Sequence, residues 1–599
     1  MARIVYIEQD DLSNYWTVDI ETDDLQATKI WCIVLQNVKT KELRKLYGEG
    51  VYDAFKSFAN ENPQRIYIGH NLLGFDIPVL NRLCGTSIPP SRCVDTLVLG
   101  QLYHPAIAGG HSLEAWGQRF KYPKIEFSDW SQFSEEMLTY CVRDVELTTK
   151  LYLSLRAKMR KVGFSEQSII LEHRTRVVLD EQERNGFYFD RAGAIALRDH
   201  LRSLEQDAVE RVQSVFPPEL KPQGTYNYRI KADGTPYASF ERHQEQYPAL
   251  EFSGDGSEYT VYDYESFNLG SSPQRRDRLL ALGYEPTDFT PTGLAKVDED
   301  SLVAFAEKSG IEEVALIADW LVYNGRANMI DNWLNHLGED DRIHGRVYSC
   351  GAATRRMRHQ SPNTANIAGN GARFGEECRS LWTVPQGRLL VGYDAAALEG
   401  RTLCHYLAND EATRYFIDGD PHQANADAVG ISRSQAKTLL YAFLYGAGNA
   451  TLGKAVGGGP KDGKLARNAL TAAIPGLRRL LAVVEAEFNR RGGLLRTIDG
   501  GFVRAPSLHS ALNYKLQSAG ALVMKQTSVI LRDKIRANRW DALKVGDIHD
   551  EGQLDVLEAH AEMVGQAAVQ SLEEAGVALK CNVPITGEYK IGKNWSETH

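Results

Sequence analysis

The chain reads as a multidomain α/β protein. Its 599 residues, 43% hydrophobic and 24% charged, are enough for roughly three or four cores at about 100–200 residues per domain. The first ~150 residues alternate short β-rich runs with helical stretches, and from about Glu166 the pattern turns helical.

In chain order, Trp16–Ile20, Ile30–Val38 and Ile66–Ile68 are the strand-like runs of the first part. Within Trp16-Thr17-Val18-Asp19-Ile20-Glu21, strand alternation puts Asp19 and Glu21 on one face. Residues 221–266 lose the helical period, are rich in Gly, Tyr, Glu and Ser, and carry turn signals at Asp233-Gly234 and Gly254-Asp255-Gly256. They read as an insertion or β-rich excursion. Ile311, Val314, Ile317, Leu321, Ile330, Trp333, Leu334 and Leu337 recur at mostly helical spacing, which predicts a long helix across Gly325. After residue 340, the strand-like runs Arg388–Tyr393 and Gly546–His549 bracket a mainly helical region around 433–490.

Lys and Arg number 68 against 78 Asp and Glu, a formal charge of −10, which excludes a small basic DNA-binding module. It does not exclude a polyanionic partner, because binding depends on where the charges sit. Basic clusters occur at Arg275, Arg276 and Arg278, at Arg355, Arg356 and Arg358, at Arg478-Arg479 and at Arg490-Arg491. Each taken alone reads as a solvated face. The eight cysteines are scattered without a Cys-x-x-Cys pair, so neither a disulfide framework nor a thiolate zinc site is indicated. No apolar run has the length of a membrane span and the first residues lack a signal-peptide pattern, so a soluble, cytoplasmic protein is expected.

Acidic residues recur in motifs rather than singly. After Asp19 and Glu21 comes Asp76, in Asn71-Leu72-Leu73-Gly74-Phe75-Asp76 behind a strand-like run. Then comes Tyr140-Cys141-Val142-Arg143-Asp144, whose spacing places Tyr140 and Asp144 on one helical face. Four carboxylates converging on one point are costly unless divalent cations neutralise them. Paired Mg²⁺ ions would do so while activating a water toward a phosphodiester.

A second pattern is more specific. Arg433, Lys437, Tyr441 and Tyr445-Gly446 follow one another at steps of four and so share a broad helical face. Such a pattern is expected roughly 0.002 times by chance in this composition, so it outweighs any single acidic triplet. Two cations followed by aromatic rings suit a ligand with a polyphosphate at one end and a flat base at the other. Before the ladder, Leu389-Leu390-Val391-Gly392-Tyr393-Asp394-Ala395 is a strand ending on a carboxylate, with Glu399 five residues later. After it, Val545–Ile548 leads into His549-Asp550-Glu551.

The acidic motifs resemble those of 3′→5′ proofreading exonucleases, and the ladder with its flanking motifs resembles family A DNA polymerases. The likeness is nearest to the replicative enzymes of short-tailed bacteriophages. It implies an N-terminal ribonuclease H-like exonuclease domain (1–165), followed by a right-hand polymerase. The polymerase parts would be a thumb (166–340, with an insertion at about 221–266), a palm (341–415 and 492–599) and fingers (416–491).

In the exonuclease the resemblance implies that Asp19, Glu21, Asp76 and Asp144 hold metals and Tyr140 orients the attacking water. In the polymerase it implies metal binding by Asp394, Asp550 and the main chain of Ala395. His422 (in Asp420-Pro421-His422-Gln423), Arg433 and Lys437 would grip the triphosphate, with Lys437 also a proton donor. Tyr441 would stack near the sugar and base, and Glu399 would exclude a ribose 2′-hydroxyl. Arg356, Tyr445, Asn513, Gln517 and His549 would contact DNA.

The implied cofactor is Mg²⁺, two per site, with Mn²⁺ able to substitute. The implied substrates are primer-template DNA and dNTPs, in replication of a phage genome in an infected bacterial cell. Helicase-primase, single-stranded DNA-binding protein and a processivity factor such as host thioredoxin are the partners it raises. The 221–266 stretch is shorter than the insertion phage relatives use for thioredoxin. Two further departures stand out: Arg355 replaces a usual glycine, so a different turn is expected before Arg356. Gly501 replaces a common basic residue, leaving Arg504 as a substitute contact.

Overall fold

The structure, a computed structural model, describes residues 6–286, 288–290 and 292–599. It divides into two compact units: Met1–Phe189 with His336–Ile367 and Trp382–His599, and Asp190–Asn335 with Ala368–Leu381.

The first unit opens with a five-stranded sheet: β1 (Tyr15–Thr22), β2 (Ile30–Asn37), β3 (Leu43–Tyr47), β4 (Ile66–Gly69) and β5 (Cys93–Asp95), in the order β3-β2-β1-β4-β5. The hairpins β1-β2 and β2-β3 are antiparallel, whereas β4 joins β1, and β5 joins β4, in parallel. The alternation of β1 sorts its side chains as expected. Trp16, Val18 and Ile20 pack with Phe55 and Phe58 of helix Val51–Glu61 and with Leu80. Thr17 faces the opposite way, its hydroxyl accepting from Thr149 Oγ1 on helix Glu135–Val162 at 2.7 Å. Asp19 and Glu21, in step with Thr17, therefore look toward that same helix, which carries Tyr140 and Asp144.

A four-stranded antiparallel sheet occupies the C-terminal part of this unit, in the spatial order Ala542–Ile548, Glu551–Leu557, Arg388–Ala395, Gly587–Gly592. Helices Leu508–Asn538 and Ala561–Ala578 supply Leu522, Val523, Val564 and Ala568 to a core shared with Val391, Tyr393, Leu554 and Val556. The expected helical region resolves into Arg433–Leu444, Asn449–Ala455, Pro460–Ala473 and Leu477–Arg491. A Ser432–Gln435 capping box starts the first of these, fixing the register of the basic and aromatic ladder.

In the second unit, helices Arg191–Val215 and Glu312–Asn335 run antiparallel, because Arg202 pairs with Asp331 while Arg211 pairs with Glu312. The long helix continues through Gly325. Residues 221–266 are β-rich: strands Glu219–Asn227, Ala249–Phe252 and Glu258–Glu265 form a sheet, and Phe240 of helix Ala238–Gln246 packs on Tyr259 and Val261. Gly234 and Gly256, at the expected turns, take φ of 82° and 70°, where a side chain is strained.

Two of the basic clusters are not the solvated faces expected. Arg275 is 7% exposed, donating to the Leu269 carbonyl, and Arg355 is completely buried. All eight cysteines are free thiols. Among the described residues no helix is long and apolar enough to cross a membrane.

Candidate active sites

The first site lies between β1 and helix Glu135–Val162. Ligating atoms of Asp19, Glu21 and Cys141 lie within 4.8 Å of one another, and the Cys141 thiol donates to Asp19 at 3.5 Å. Asp76, first residue of helix Asp76–Leu83, and Asp144 stand close enough to Asp19 to perturb its ionisation or share its field. Burial, then Asp144, pushes the Asp19 carboxyl up to about 7, and burial followed by Asp19 pushes Glu21 up to about 10. Asp76 is raised by burial and then Asp19; Asp144 is raised by burial against the pull of Lys124. Glu21 Oε1 and Asp144 Oδ1 are buried without a hydrogen-bond partner.

Crowded carboxylates with orphaned oxygens fit hard divalent cations, whose charge would replace the missing protons. Cys141, a buried thiol held neutral, is not needed as a ligand for such an ion. Tyr140 sits over the site, its ring packed by Phe127 and Trp130 at 5.7 and 5.6 Å. Lys124, absent from the sequence reading, is paired with Asp144 at 2.5 Å. No spacing rule marks it, since it lies on the irregular segment before the helix.

The second site lies at the end of the four-stranded sheet. Asp394 is the next-to-last residue of one central strand and pairs across with Glu551 and Glu588. The next residue, Ala395, donates its N–H to the Asp550 carbonyl at 3.0 Å, which ties the two acidic segments together. Burial, then Asp550 and Glu551, pushes the Asp394 carboxyl up to about 7. This oxygen-only donor set also fits Mg²⁺ or Mn²⁺, which Asp394, Asp550 and the Ala395 main chain could hold. Glu551 is held in turn by the chain terminus, accepting from Trp595 Nε1 and bonding His599 Nδ1 at 2.9 Å.

A cavity of about 380 Å³ brings together Arg356, Glu399, Tyr445, Gln517, His549 and Asp550. Tyr445, read from sequence as a DNA contact, donates its hydroxyl to Glu399 Oε1 at 2.6 Å and so fixes that carboxylate. The ladder is assembled as its spacing demands. Arg433 and Lys437 are exposed, Arg433 bonds Asp420 Oδ2 at 2.8 Å, and the Tyr441 ring lies 6.1 Å from His422 and 6.3 Å from Tyr445. His422 Nδ1 and Asn513 Oδ1 are buried and unpartnered. Arg433, Lys437, His422 and Asn513 do not line the 380 Å³ cavity, and Asp394 lines a separate one of about 230 Å³.

Beside this cavity lies a buried charge network that sequence reasoning missed. Arg355 donates to Asp499 Oδ2 at 2.9 Å and to Glu172 Oε2 at 3.1 Å, and Lys525 donates to Glu172 Oε1 at 2.8 Å. Arg355 has φ of 63°, the left-handed conformation that glycine adopts freely. The backbone before Arg356 thus takes a conformation suited to glycine with an arginine in place, its guanidinium held by buried ion pairs. A Cβ at Gly501 would lie 2.8 Å from Arg355 Nη1 and 2.3 Å from Ser168 Oγ, so the arginine's guanidinium and Ser168 occupy the room a side chain there would need. Arg504 is exposed.

Glu172 also links toward the first site. Its neighbour His173 accepts from the Asp95 N–H at 3.0 Å, and the Asp95 carboxylate accepts from Asn71 and Leu73 in the loop ahead of Asp76.

Residues 254–597 match the sequence model of DNA polymerase family A. The chain is 29% identical to the DNA-directed DNA polymerase of Enterobacteria phage T3 and 28% identical to that of Escherichia phage T7. Each alignment covers 97% of this chain and 99% of the relative. Its fold is like that of the polymerase domain of Pol1 from M. smegmatis, solved with DNA primer-template and dNTP. The TM-score is 0.74 at 18% identity, covering 97% of this chain and 95% of that one. The match spans more than half of the sequence and includes the basic and aromatic ladder, Asp394 and Asp550: the chain belongs to DNA polymerase family A.

Proposed function

We propose that the chain is a template-directed DNA polymerase with a 3′→5′ proofreading exonuclease, serving phage genome replication. The observation that carries this reading is the pair of separate carboxylate clusters. One lies beside the basic and aromatic ladder; the other lies under Tyr140. In this reading residues 1–165 form the exonuclease, 166–340 the thumb, 341–415 with 492–599 the palm, and 416–491 the fingers.

Bound at either cluster, a pair of divalent cations supplies Lewis acidity to the reacting phosphate and its nucleophile. The protein does the rest. Arg433, Lys437 and His422 hold the triphosphate, with Tyr441 against the sugar and base. Arg356, Gln517 and His549 line the cavity that receives the primer terminus. The primer 3′-hydroxyl loses its proton to solvent as its oxygen forms a bond to the α-phosphorus, the bond to the β-phosphate bridge breaks, and pyrophosphate leaves with a proton given by Lys437. In the exonuclease, a water oriented by Tyr140 bonds to the terminal phosphorus and gives up a proton, the P–O3′ bond breaks, the freed 3′-oxygen takes up a proton from solvent, and a nucleoside monophosphate leaves. A mispaired end melts more readily, so unpairing energy selects what reaches this site.

The decisive experiment combines primer extension with excision of a 3′-labelled single strand. Asp19→Ala with Glu21→Ala is expected to lower excision by at least about 10³-fold, because both charge and orphaned oxygens are lost. Extension should persist. Loss of both activities in a folded protein would defeat the two-site reading.

Glu399 yields an independent expectation. The Tyr445 hydroxyl pins its carboxylate beside Asp550, where it would crowd a 2′-hydroxyl. Glu399→Ala is expected to raise ribonucleotide incorporation relative to dNTPs by about 10²-fold, the size of one removed steric and polar exclusion. Single-nucleotide insertion kinetics check it.

A further inference from the structure

Lys124 is the one cation, among the described residues, that forms an ion pair with any of the four N-terminal acids. Its ammonium lies 2.5 Å from Asp144 Oδ2 and 4.6 Å from the centre of the Tyr140 ring. Fully ionised, four acids against one ammonium leave a formal −3, so Lys124 only begins the neutralisation that the site requires.

The position is built by its surroundings. Ahead of it, Tyr122 donates to Glu146 Oε2 at 2.5 Å and lies under Arg143 at 4.0 Å, which clamps the segment to helix Glu135–Val162. Behind it, Phe127 and Trp130 pack on Tyr140 and on each other, and Trp31 Nε1 donates to the Trp130 carbonyl at 3.0 Å. Lys124 is thus suspended between two anchors, with its side chain 23% exposed against 5% for Asp144. It faces a cleft of about 600 Å³ lined also by Glu114, Gln118, Phe127 and Tyr140.

One ammonium therefore touches both the carboxylate with an orphaned oxygen and the tyrosine one helical turn before it. A cation recruited by Asp144 must compete with the ammonium for that carboxylate. Removing the ammonium would free Asp144 but release Tyr140.

We propose that Lys124 is a positioning residue of the exonuclease site, holding Asp144 and Tyr140 in one arrangement and competing with a divalent cation for Asp144. The proposal rests on the exonuclease reading. It separates two quantities that a purely structural lysine would move together: metal affinity and excision rate. Without Lys124 the site binds its cation more tightly and works more slowly. Arginine keeps the charge but presents a planar fork in place of a point charge, so it restores excision only in part.

The test uses the full-length chain and the variants Lys124→Met and Lys124→Arg. Mn²⁺ binding is followed by electron paramagnetic resonance in an Asp394→Asn/Asp550→Asn background, so that the signal reports the N-terminal acids. Excision of a labelled single strand is measured in parallel, with circular dichroism as the check of folding. Lys124→Met is expected to bind Mn²⁺ about tenfold more tightly, the scale of one competitive coupling. Its excision should fall roughly 10²-fold, as for loss of one oriented electrostatic partner, with partial recovery in Lys124→Arg. Unchanged or weaker Mn²⁺ binding, or excision within about twofold of wild type, overturns the proposal. Absence of excision by the wild-type chain instead defeats the exonuclease reading, and the Mn²⁺ isotherms still decide whether Lys124 competes for Asp144.

Discussion

Replacing Asp394 or Asp550 by asparagine is expected to lower primer extension by at least about 10³-fold, measured as single-turnover incorporation, while excision by the N-terminal site continues. Asparagine keeps the shape and removes the charge that would bind cations. It also relieves a repulsion visible in the structure: Asp394 stands opposite Glu551 and Glu588 and beside the Asp550 segment. Its carboxyl is pushed up to about 7, chiefly by burial and then by Asp550. For an acid, a folded value above the unfolded one means that stability falls as pH rises from the ordinary carboxylate range toward 7. Asp394→Asn should therefore melt higher than wild type at pH 8 in a chelator, and no higher at pH 4. An inactive variant that melts lower at pH 8 would show a structural rather than an electrostatic role.

Much of this was legible because the chemistry sits at fixed spacings on regular elements. Asp19 and Glu21 are two apart on a strand, Tyr140 and Asp144 four apart on a helix, and Arg433, Lys437 and Tyr441 follow one another by fours. Periodicity converts such spacings directly into shared faces. The β-rich character of 221–266 was legible from its turn glycines for the same local reason. What escaped was set by tertiary contact alone. Lys124 lies on an irregular segment, and its partner is twenty residues away. Arg355 was grouped with Arg356 and Arg358 as a surface charge run, yet its partners are Glu172 and Asp499, 183 and 144 positions away. The bond from Tyr445 to Glu399 escaped likewise, because the hydroxyl reaches across 46 positions.

That buried network supports the second large effect. Removing the guanidinium with Arg355→Met should cost about 3–5 kcal/mol, the usual penalty for leaving buried charges uncompensated, read by chemical denaturation of the full chain. Arg355→Gly should cost less, because glycine removes the backbone strain at φ of 63° even as it removes the ion pairs. The matched double replacement Arg355→Met with Asp499→Asn should recover much of the loss. It deletes one charge of each sign and leaves Glu172 bonded to Lys525 at 2.8 Å. The acid range gives an independent check. Burial would raise the Glu172 carboxyl, but Lys525 and Arg355 override it and hold it at about 2. An acid with a depressed folded value contributes stability above its unfolded range and loses it as pH falls toward the folded one. The gap between wild type and Glu172→Gln should therefore be fully open at pH 7 and close between about 4.5 and 2. Arg356 follows Arg355 directly and lines the cavity with Asp550, so variants that loosen the network should also weaken primer-template use. A gap that stays constant across this range would show that Glu172 contributes through packing alone.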